Sequence, residues 1–181
     1  KGPHGMRYLP VGNILLNFGH QQVENYERNL NLGNALASTS YIYKGIRYTR
    51  TVFASQTDDA IIVRLEADQK GALSFTVNFD GQLPSEKEVT EDRLIARVKN
   101  VEQEGIQGVL TAECQTRVLT DGIVEKENAS ISVKDATTAT LYIVAATNFV
   151  NYRNVSHNPT LENDATLAAI RGKKYDQLLK R

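Results

Sequence analysis

The chain has 181 residues, in which 21 lysines and arginines balance 21 aspartates and glutamates at a pI near 7.0. This balance argues against a nucleic-acid-binding surface, which needs a basic stripe, so we expect no nucleic-acid partner. No apolar run approaches the roughly 18 residues that cross a bilayer, and we expect no membrane partner. The length suits one domain with a substantial core, followed by a tail.

The first half of the chain contains strand patterns separated by turn residues. After a short apolar run at 11–18, the segment Ala37–Tyr43 alternates between two faces, and Ile46–Ser55 continues that alternation. Lys44 and Gly45 lie between the two segments at the length of a two-residue hairpin loop, where glycine can take a positive φ. This pattern predicts a β-hairpin.

Further strand patterns follow along the chain. Ala60–Ala67 is continuously apolar, and Ala72–Phe79 alternates regularly between apolar and polar residues. The charged, proline-containing stretch Gln82–Asp92 is predicted to be a solvated loop. Four later segments are also typical of strands: Arg93–Val98, Gly108–Leu119, Ile123–Val133 and Thr138–Ala146. Eight or more strands at this spacing predict an all-β sandwich or barrel.

The end of the chain differs in composition from the strands. Residues 1–147 are predicted to form the β-sandwich domain, and the Asn-rich segment 148–162, which holds a proline, an irregular connection. Asn163 or Asp164 is expected to cap a linker helix over 163–181. Its partial apolar stripe consists of Leu167, Ile170, Lys174, Leu178 and Leu179. Nothing follows for this stripe to pack against, so we expect the chain to be truncated from a longer one.

Candidate catalytic and metal-binding residues are sparse. A glycosidase needs two carboxyl groups facing each other across a cleft, whereas the acidic pairs here lie in or beside turns, which favours solvated surface charge. The histidines His4, His20 and His157 lack the close spacing of a metal site. The single cysteine, Cys114, is predicted to be a buried apolar residue rather than a catalytic thiol. The acidic pairs are Asp58 and Asp59, Glu86 and Glu88, Glu91 and Asp92, and Glu125 and Glu127.

Neither a nucleophile elbow nor a phosphate loop nor a dinucleotide fingerprint occurs in the sequence, and we expect no cofactor. Three tyrosines on the predicted hairpin, Tyr41, Tyr43 and Tyr48, are candidate carbohydrate contacts, because the apolar face of a pyranose suits an aromatic ring. Cross-strand packing is the alternative, and more frequent, explanation for such a cluster.

Three segments resemble a known family: YLPVGNILLNF from Tyr8, YERNLNLGNALASTSY from Tyr26 and YTRTVFASQTDDAIIVRL from Tyr48. They are similar to the N-terminal domain of glycoside hydrolase family 95, whose members are α-L-fucosidases, some of them acting on α-L-galactosides. The similarity continues through LSFTVNFD and, more loosely, to the terminal YDQLLKR. The residues that carry it are Pro10, Gly12, Tyr26, Arg28, Leu30, Leu32, Ala35, Tyr41, Gly45, Tyr48, Arg50, Phe53, Ser55 and the apolar strand before Arg64.

The resemblance implies a β-supersandwich of two large antiparallel sheets, similar to the mutarotase-like fold, followed by a helical linker and an (α/α)6 barrel. The barrel would hold the catalytic groups, a glutamate acid and an asparagine made basic by an aspartate, which work with inversion. None of these has a counterpart in this chain, and neither do the family's opening strands, which lead into a tryptophan. The implied partners are the barrel of the same parent chain and, through the full-length enzyme, a fucosylated glycan. The implied location is periplasmic or secreted.

The sequence therefore favours a non-catalytic β-sandwich domain of a fucosidase-like hydrolase. One alternative is a stand-alone glycan-binding module that uses Tyr41, Tyr43 or Tyr48 as platforms. The other is a mutarotase-type sugar epimerase, in which His20 or His157 would meet a carboxylate in one pocket.

Overall fold

A computed structural model describes residues 10–180, so that His4 lies outside the described part. Within it, twelve strands and two helices follow one another along the chain. Neither helix is long and apolar enough to cross a membrane. The strands are β1 (Asn13–Asn17), β2 (Glu24–Asn31), β3 (Leu36–Tyr43), β4 (Ile46–Ser55), β5 (Ala60–Ala67), β6 (Leu73–Asp80), β7 (Ser85–Val89), β8 (Arg93–Lys99), β9 (Thr111–Thr120), β10 (Ile123–Lys126), β11 (Ser130–Ala136) and β12 (Thr138–Thr147), and the helices are α1 (Pro159–Ile170) and α2 (Tyr175–Leu179).

The strands form two sheets of unequal size. The larger sheet has eight strands in the order β2-β3-β4-β5-β12-β9-β8-β7, and the smaller has four in the order β1-β6-β11-β10. Every strand pairing in both sheets is antiparallel. The predicted all-β antiparallel sandwich with a helical C-terminal segment is therefore confirmed.

The predicted hairpin is confirmed in detail. Tyr43 pairs with Ile46, which leaves Lys44 and Gly45 as the two-residue loop. Both loop residues have positive φ, 51° at Lys44 and 78° at Gly45. Two successive residues with positive φ make the tight turn whose twist matches the right-handed twist of the flanking strands.

The main core lies between the two sheets. The alternation predicted for β6 is confirmed, since Leu73, Phe75, Val77 and Phe79 are each at most 3% exposed and their polar neighbours face outward. Burying a Leu, Val or Phe side chain stabilises the fold by about 1.5–3 kcal/mol. The apolar face of β6 therefore holds the smaller sheet onto the larger one.

A second core lies on the outer face of the larger sheet, under the helices. Leu167 and Ile170 of α1 and Leu178 of α2 pack there with Phe53, Ile62 and other sheet residues. The larger sheet is thus covered by the smaller sheet on its inner face and by the helices on part of its outer face.

The helical segment begins earlier than predicted and is interrupted. Its first cap is Asn158, whose side chain accepts from the backbone N–H groups of Thr160 and Leu161, so α1 starts at Pro159 rather than at Asn163 or Asp164. Asn158 is the better cap because a proline follows it at the first helical position, where its fixed φ suits a helix. Gly172, with a φ of 83°, separates α1 from α2. The division of the chain into domains stays a prediction.

Two strand predictions also need correction. The stretch Gln82–Asp92, predicted as a loop, contains the edge strand β7, because its backbone pairs with β8 and its charged side chains suit an exposed sheet edge. The single strand predicted at Ile123–Val133 is a hairpin of β10 and β11, which turns back after Lys126.

Candidate functional site

An aromatic cluster fills one end of the cleft between the sheets. It is built from the inner faces of β2, β3 and β4 and from the segment that follows β1. All of its members except Tyr43 line a cavity of about 340 Å³. Its members are Phe18, His20, Tyr26, Tyr41, Tyr43 and Tyr48.

The strand register brings the tyrosines into a stack. Tyr41 lies directly opposite Tyr48, and their rings stack with centroids 5.5 Å apart. Tyr26 stacks on Tyr41 at 6.5 Å from the side of β2. Tyr48 is only 5% exposed, whereas Tyr26 is 54% exposed. The ring with the most accessible surface in the stack is therefore that of Tyr26.

His20 joins the cluster from the loop after β1. Its Nδ1 is 2.9 Å from the hydroxyl oxygen of Tyr41, and its ring stacks on Tyr43 with centroids 4.3 Å apart. Burial, and then the charge of Lys44, lower the pKa of His20 below its usual 6.5. Burial raises the pKa of Tyr41 to about 12. At neutral pH the site therefore presents an uncharged imidazole and a protonated phenol.

The structure brings Tyr41, Tyr43 and Tyr48 together, and packing engages much of their ring surface. The Tyr48 hydroxyl donates to the carbonyl of Ala72 at 3.1 Å, so its polar end already has a partner within the protein. Contact of these tyrosines with a carbohydrate stays a prediction. Sequence reasoning did not assign Tyr26 to this site, although its position on the strand before the hairpin was an available signal.

A second feature is an exposed apolar surface on the loops at one end of the sandwich, which we call the end-loop patch. Asn148 joins the two loops, because its Oδ1 accepts from the backbone N–H of Thr111 at 2.9 Å and its Nδ2 donates to the carbonyl of Val109 at 3.0 Å. Monomers rarely expose large contiguous apolar surfaces without a binding role. The patch consists of Val101, Ile106, Val109, Leu110, Phe149, Val150 and Tyr152, all exposed.

Most of the acidic pairs are neutralised by nearby groups, and one prediction about them is wrong. Asp58 is not solvated: its side chain is 2% exposed and accepts from Lys173 Nζ at 2.7 Å and from Ser55 Oγ at 2.7 Å. The turn that carries Asp58 is folded under the segment between the helices, a contact that spans 115 residues. The ion pairs of the other acidic pairs join Glu88 to Arg97, Asp92 to Arg117 and Arg93, and Glu125 to Lys134.

The two described histidines lie in different settings. His157 pairs with Glu162 at the exposed start of α1, away from the aromatic cavity. The partner of His20 is a tyrosine hydroxyl. Within residues 10–180, no group of three histidine, cysteine or acidic side chains is close enough to hold a metal ion. Burial, and then Glu113, raise the pKa of the Cys114 thiol to about 11, so this thiol stays protonated.

Comparison with known proteins agrees with this architecture. A family model described as glycosyl hydrolase family 65, N-terminal domain, matches residues 1–152. The chain belongs to this family. This N-terminal domain is 38% identical over 80 residues to alpha-L-fucosidase 2 from Arabidopsis thaliana, a match that covers 42% of the chain and 10% of that protein.

A solved structure shows the same fold. A putative kojibiose phosphorylase from the human microbiome aligns with a TM-score of 0.64 over 95% of this chain and 27% of its own, at 12% sequence identity. The N-terminal domain thus spans about a tenth of the fucosidase and about a quarter of the phosphorylase. The predicted resemblance is confirmed as that of an N-terminal domain of a family 95/65-type glycoside hydrolase.

Proposed function

We propose that this chain is the non-catalytic β-sandwich domain of a family 95 enzyme that hydrolyses terminal α-L-fucosides or α-L-galactosides with inversion. In the full-length protein, which would be periplasmic or secreted, the domain packs against a C-terminal (α/α)6 barrel that carries the catalytic groups. The fucosylated glycan then contacts the barrel, and the sandwich shapes one wall of its cleft.

The observation that carries this proposal is the match to alpha-L-fucosidase 2, at 38% identity over 80 residues. An 80-residue match at this level points to shared ancestry, and the matched protein's name supplies the substrate. The match to a glycosyl hydrolase family 65 N-terminal domain over residues 1–152 supports the N-terminal position of the sandwich.

The end-loop patch supports docking to a barrel. It includes Phe149 and Tyr152, which are 51% and 82% exposed and lie in the connection that leads into α1. Covering the patch would remove from water the largest aromatic side chains that these loops expose.

The test is turnover of 2′-fucosyllactose and an α-L-galactoside by the 181-residue chain and by its full-length parent. We expect release of sugar by the parent alone, with the anomer of inverted configuration appearing first by NMR. Turnover by the 181-residue chain above a buffer control would contradict the non-catalytic assignment. A parent that cleaves other glycosides but neither of these would contradict the fucosidase assignment.

A further inference from the structure

Two arginines face the open part of the inter-sheet cleft, next to the aromatic cluster. In the strand register Arg28 of β2 lies opposite Thr39 of β3, and Thr39 lies opposite Arg50 of β4. Directly opposite residues share a face of the sheet, so one hydroxyl is flanked by two guanidinium groups. At a strand spacing of about 4.8 Å, the two arginine Cα atoms are roughly 10 Å apart.

Neither arginine makes an ion pair with any residue of the 10–180 range. Arg50 is partly buried, and its Nη2 makes only a long contact, 3.5 Å, to Thr39 Oγ1. A partly buried charge without a counter-charge is unfavourable. The cleft therefore holds positive charge that a ligand could neutralise.

Three arginines on the outer face of the same sheet differ in this respect. Arg64 pairs with Glu66, Arg97 with Glu88 and Glu113, and Arg117 with Asp92. The wider cleft on that face, of about 820 Å³, is lined by Arg64 and Arg117, each of which has a carboxylate partner. Arg28 and Arg50, on the inner face, have no such carboxylate partner within residues 10–180.

The space in front of the arginines suits a small ligand. One cavity of about 670 Å³ is lined by Arg28 and Arg50, with Ile14 and Leu16 of β1 on the opposite wall. It shares Leu16, Thr39 and Arg50 with the aromatic cavity of about 340 Å³. The exposed ring of Tyr26 lies beside this shared region. A ligand here would meet a guanidinium pair, a hydroxyl and an aromatic ring.

We propose that this cleft binds an acidic saccharide, whose carboxylate lies between Arg28 and Arg50 and whose pyranose ring packs on Tyr26. The planar guanidinium fork matches a carboxylate, and each such hydrogen bond is charge-assisted. An aromatic ring accepts the C–H face of a pyranose, and Thr39 donates to or accepts from a ring hydroxyl. The proposal goes beyond the proposed function, since it requires neither a barrel nor a fucosyl group.

The probe is α-1,4-digalacturonate, and the matched neutral ligand is α-1,4-galactobiose, which carries hydroxymethyl groups in place of the carboxylates. Both are titrated into the 181-residue chain by isothermal calorimetry and by amide chemical shifts. We expect a Kd of about 1 mM or tighter for digalacturonate and binding at least about tenfold weaker for galactobiose. The affinity for digalacturonate should fall as salt is raised, because the contact is partly exposed.

Substitution of the two cleft arginines tests whether digalacturonate binds in this cleft. R50M and R28M should each weaken digalacturonate binding about tenfold or more. The control is R47M, because Arg47 lies on the same strand as Arg50 but on the opposite, exposed face. Circular dichroism and thermal unfolding check that each variant is folded, and the exposed position of Arg28 keeps R28M informative if R50M unfolds.

Several results would overturn the proposal. These are no digalacturonate binding at about 10 mM, equal binding of galactobiose, unchanged binding by both R28M and R50M, or an equal loss in R47M. Equal binding of hexaglutamate would show simple attraction of any polyanion and would also overturn it. Because the experiment uses no fucoside, its failure leaves the proposed fucosidase function standing, and failure of the fucoside assays leaves this site standing.

Discussion

The environment of individual side chains in this protein is set by partners that are far away in sequence. Asp58 is buried because Lys173, 115 residues later, neutralises it, while its neighbour Asp59 is exposed. His20 is held by Tyr41, 21 residues later. The charge and burial of each of these side chains follow from the residues that the fold places against it. Each of the two residues can be tested by substitution.

Replacing Asp58 by asparagine should destabilise the fold by roughly 1–3 kcal/mol, since a charge-assisted hydrogen bond to Lys173 is lost at a buried site. The measurement is the urea unfolding midpoint. D59N is the matched control, because the same change at this exposed neighbour, whose positive φ asparagine tolerates, should stay within about 0.5 kcal/mol. Equal effects of D58N and D59N would contradict the importance of the buried pair.

His20 should make stability depend on pH. Its folded-state pKa lies below the unfolded value of 6.5, so the unfolded chain takes up the proton first as the pH falls. Stability should therefore be full above pH 6.5 and should decrease as the pH falls below it. Comparing urea midpoints at neutral and mildly acidic pH, H20F should lose less stability on acidification than the unsubstituted protein. Identical pH dependence in the two proteins would show that His20 does not contribute.

At the scale of elements, one buried carboxylate joins α1 to the larger sheet. Glu113 of β9 is 1% exposed and accepts from Arg97 Nε at 2.9 Å and from Thr160 Oγ1 at 2.8 Å. The side-chain amide of Asn163 donates to the Glu113 carbonyl at 2.9 Å. A helix with few buried apolar residues is thus held to the sheet by polar contacts as well as by Leu167 and its neighbours.

Substituting Glu113 by alanine should cost about 2–3 kcal/mol, because it leaves buried donors on the sheet and on α1 without their acceptor. Hydrogen exchange of the α1 amides should also accelerate. The control is E88A, which removes the exposed partner of the same Arg97 and should change stability by less than about 1 kcal/mol. Slow α1 exchange in E113A would contradict the proposed attachment.

Strands and turns could be predicted from the sequence where their pattern involves only neighbouring residues. The hairpin at Lys44–Gly45 and the alternation of β6 needed only neighbouring residues, because turn length and the period of two are local properties. The edge strand β7 was missed because its charged sequence resembles a loop until β8 pairs with it. The helix start was misplaced because both Asn158 and Asn163 are suitable caps, and burial of Asn163 against Glu113 decided between them.

At the scale of the whole molecule, the end-loop patch is the surface that most directly suits another domain. Its residues belong to two loops that Asn148 joins by hydrogen bonds. Docking by this patch is part of the proposed function.

The patch predicts how the 181-residue chain behaves in solution. Substituting Phe149 and Val109 by serine should reduce binding of the dye ANS and reduce self-association, while changing the free energy of unfolding by less than about 0.5 kcal/mol. The matched control is L161S, an exposed leucine on α1 outside the patch. Unchanged ANS fluorescence in the double variant would show that the patch is not an accessible apolar surface.

The sequence by itself determined the fold class, most strands, the hairpin turn and the family resemblance. The alternation of apolar and polar residues, the turn residues and the spacing of motifs are all properties of residues close together in the chain. Only the tertiary structure decided which strands are neighbours, as when β5 pairs with β12. It also decided that Asp58 is buried, that Tyr26 and His20 complete the aromatic cluster and that Arg28 and Arg50 face one cleft. These features depend on contacts between distant segments, whose free energy is settled by packing in three dimensions rather than by local preference.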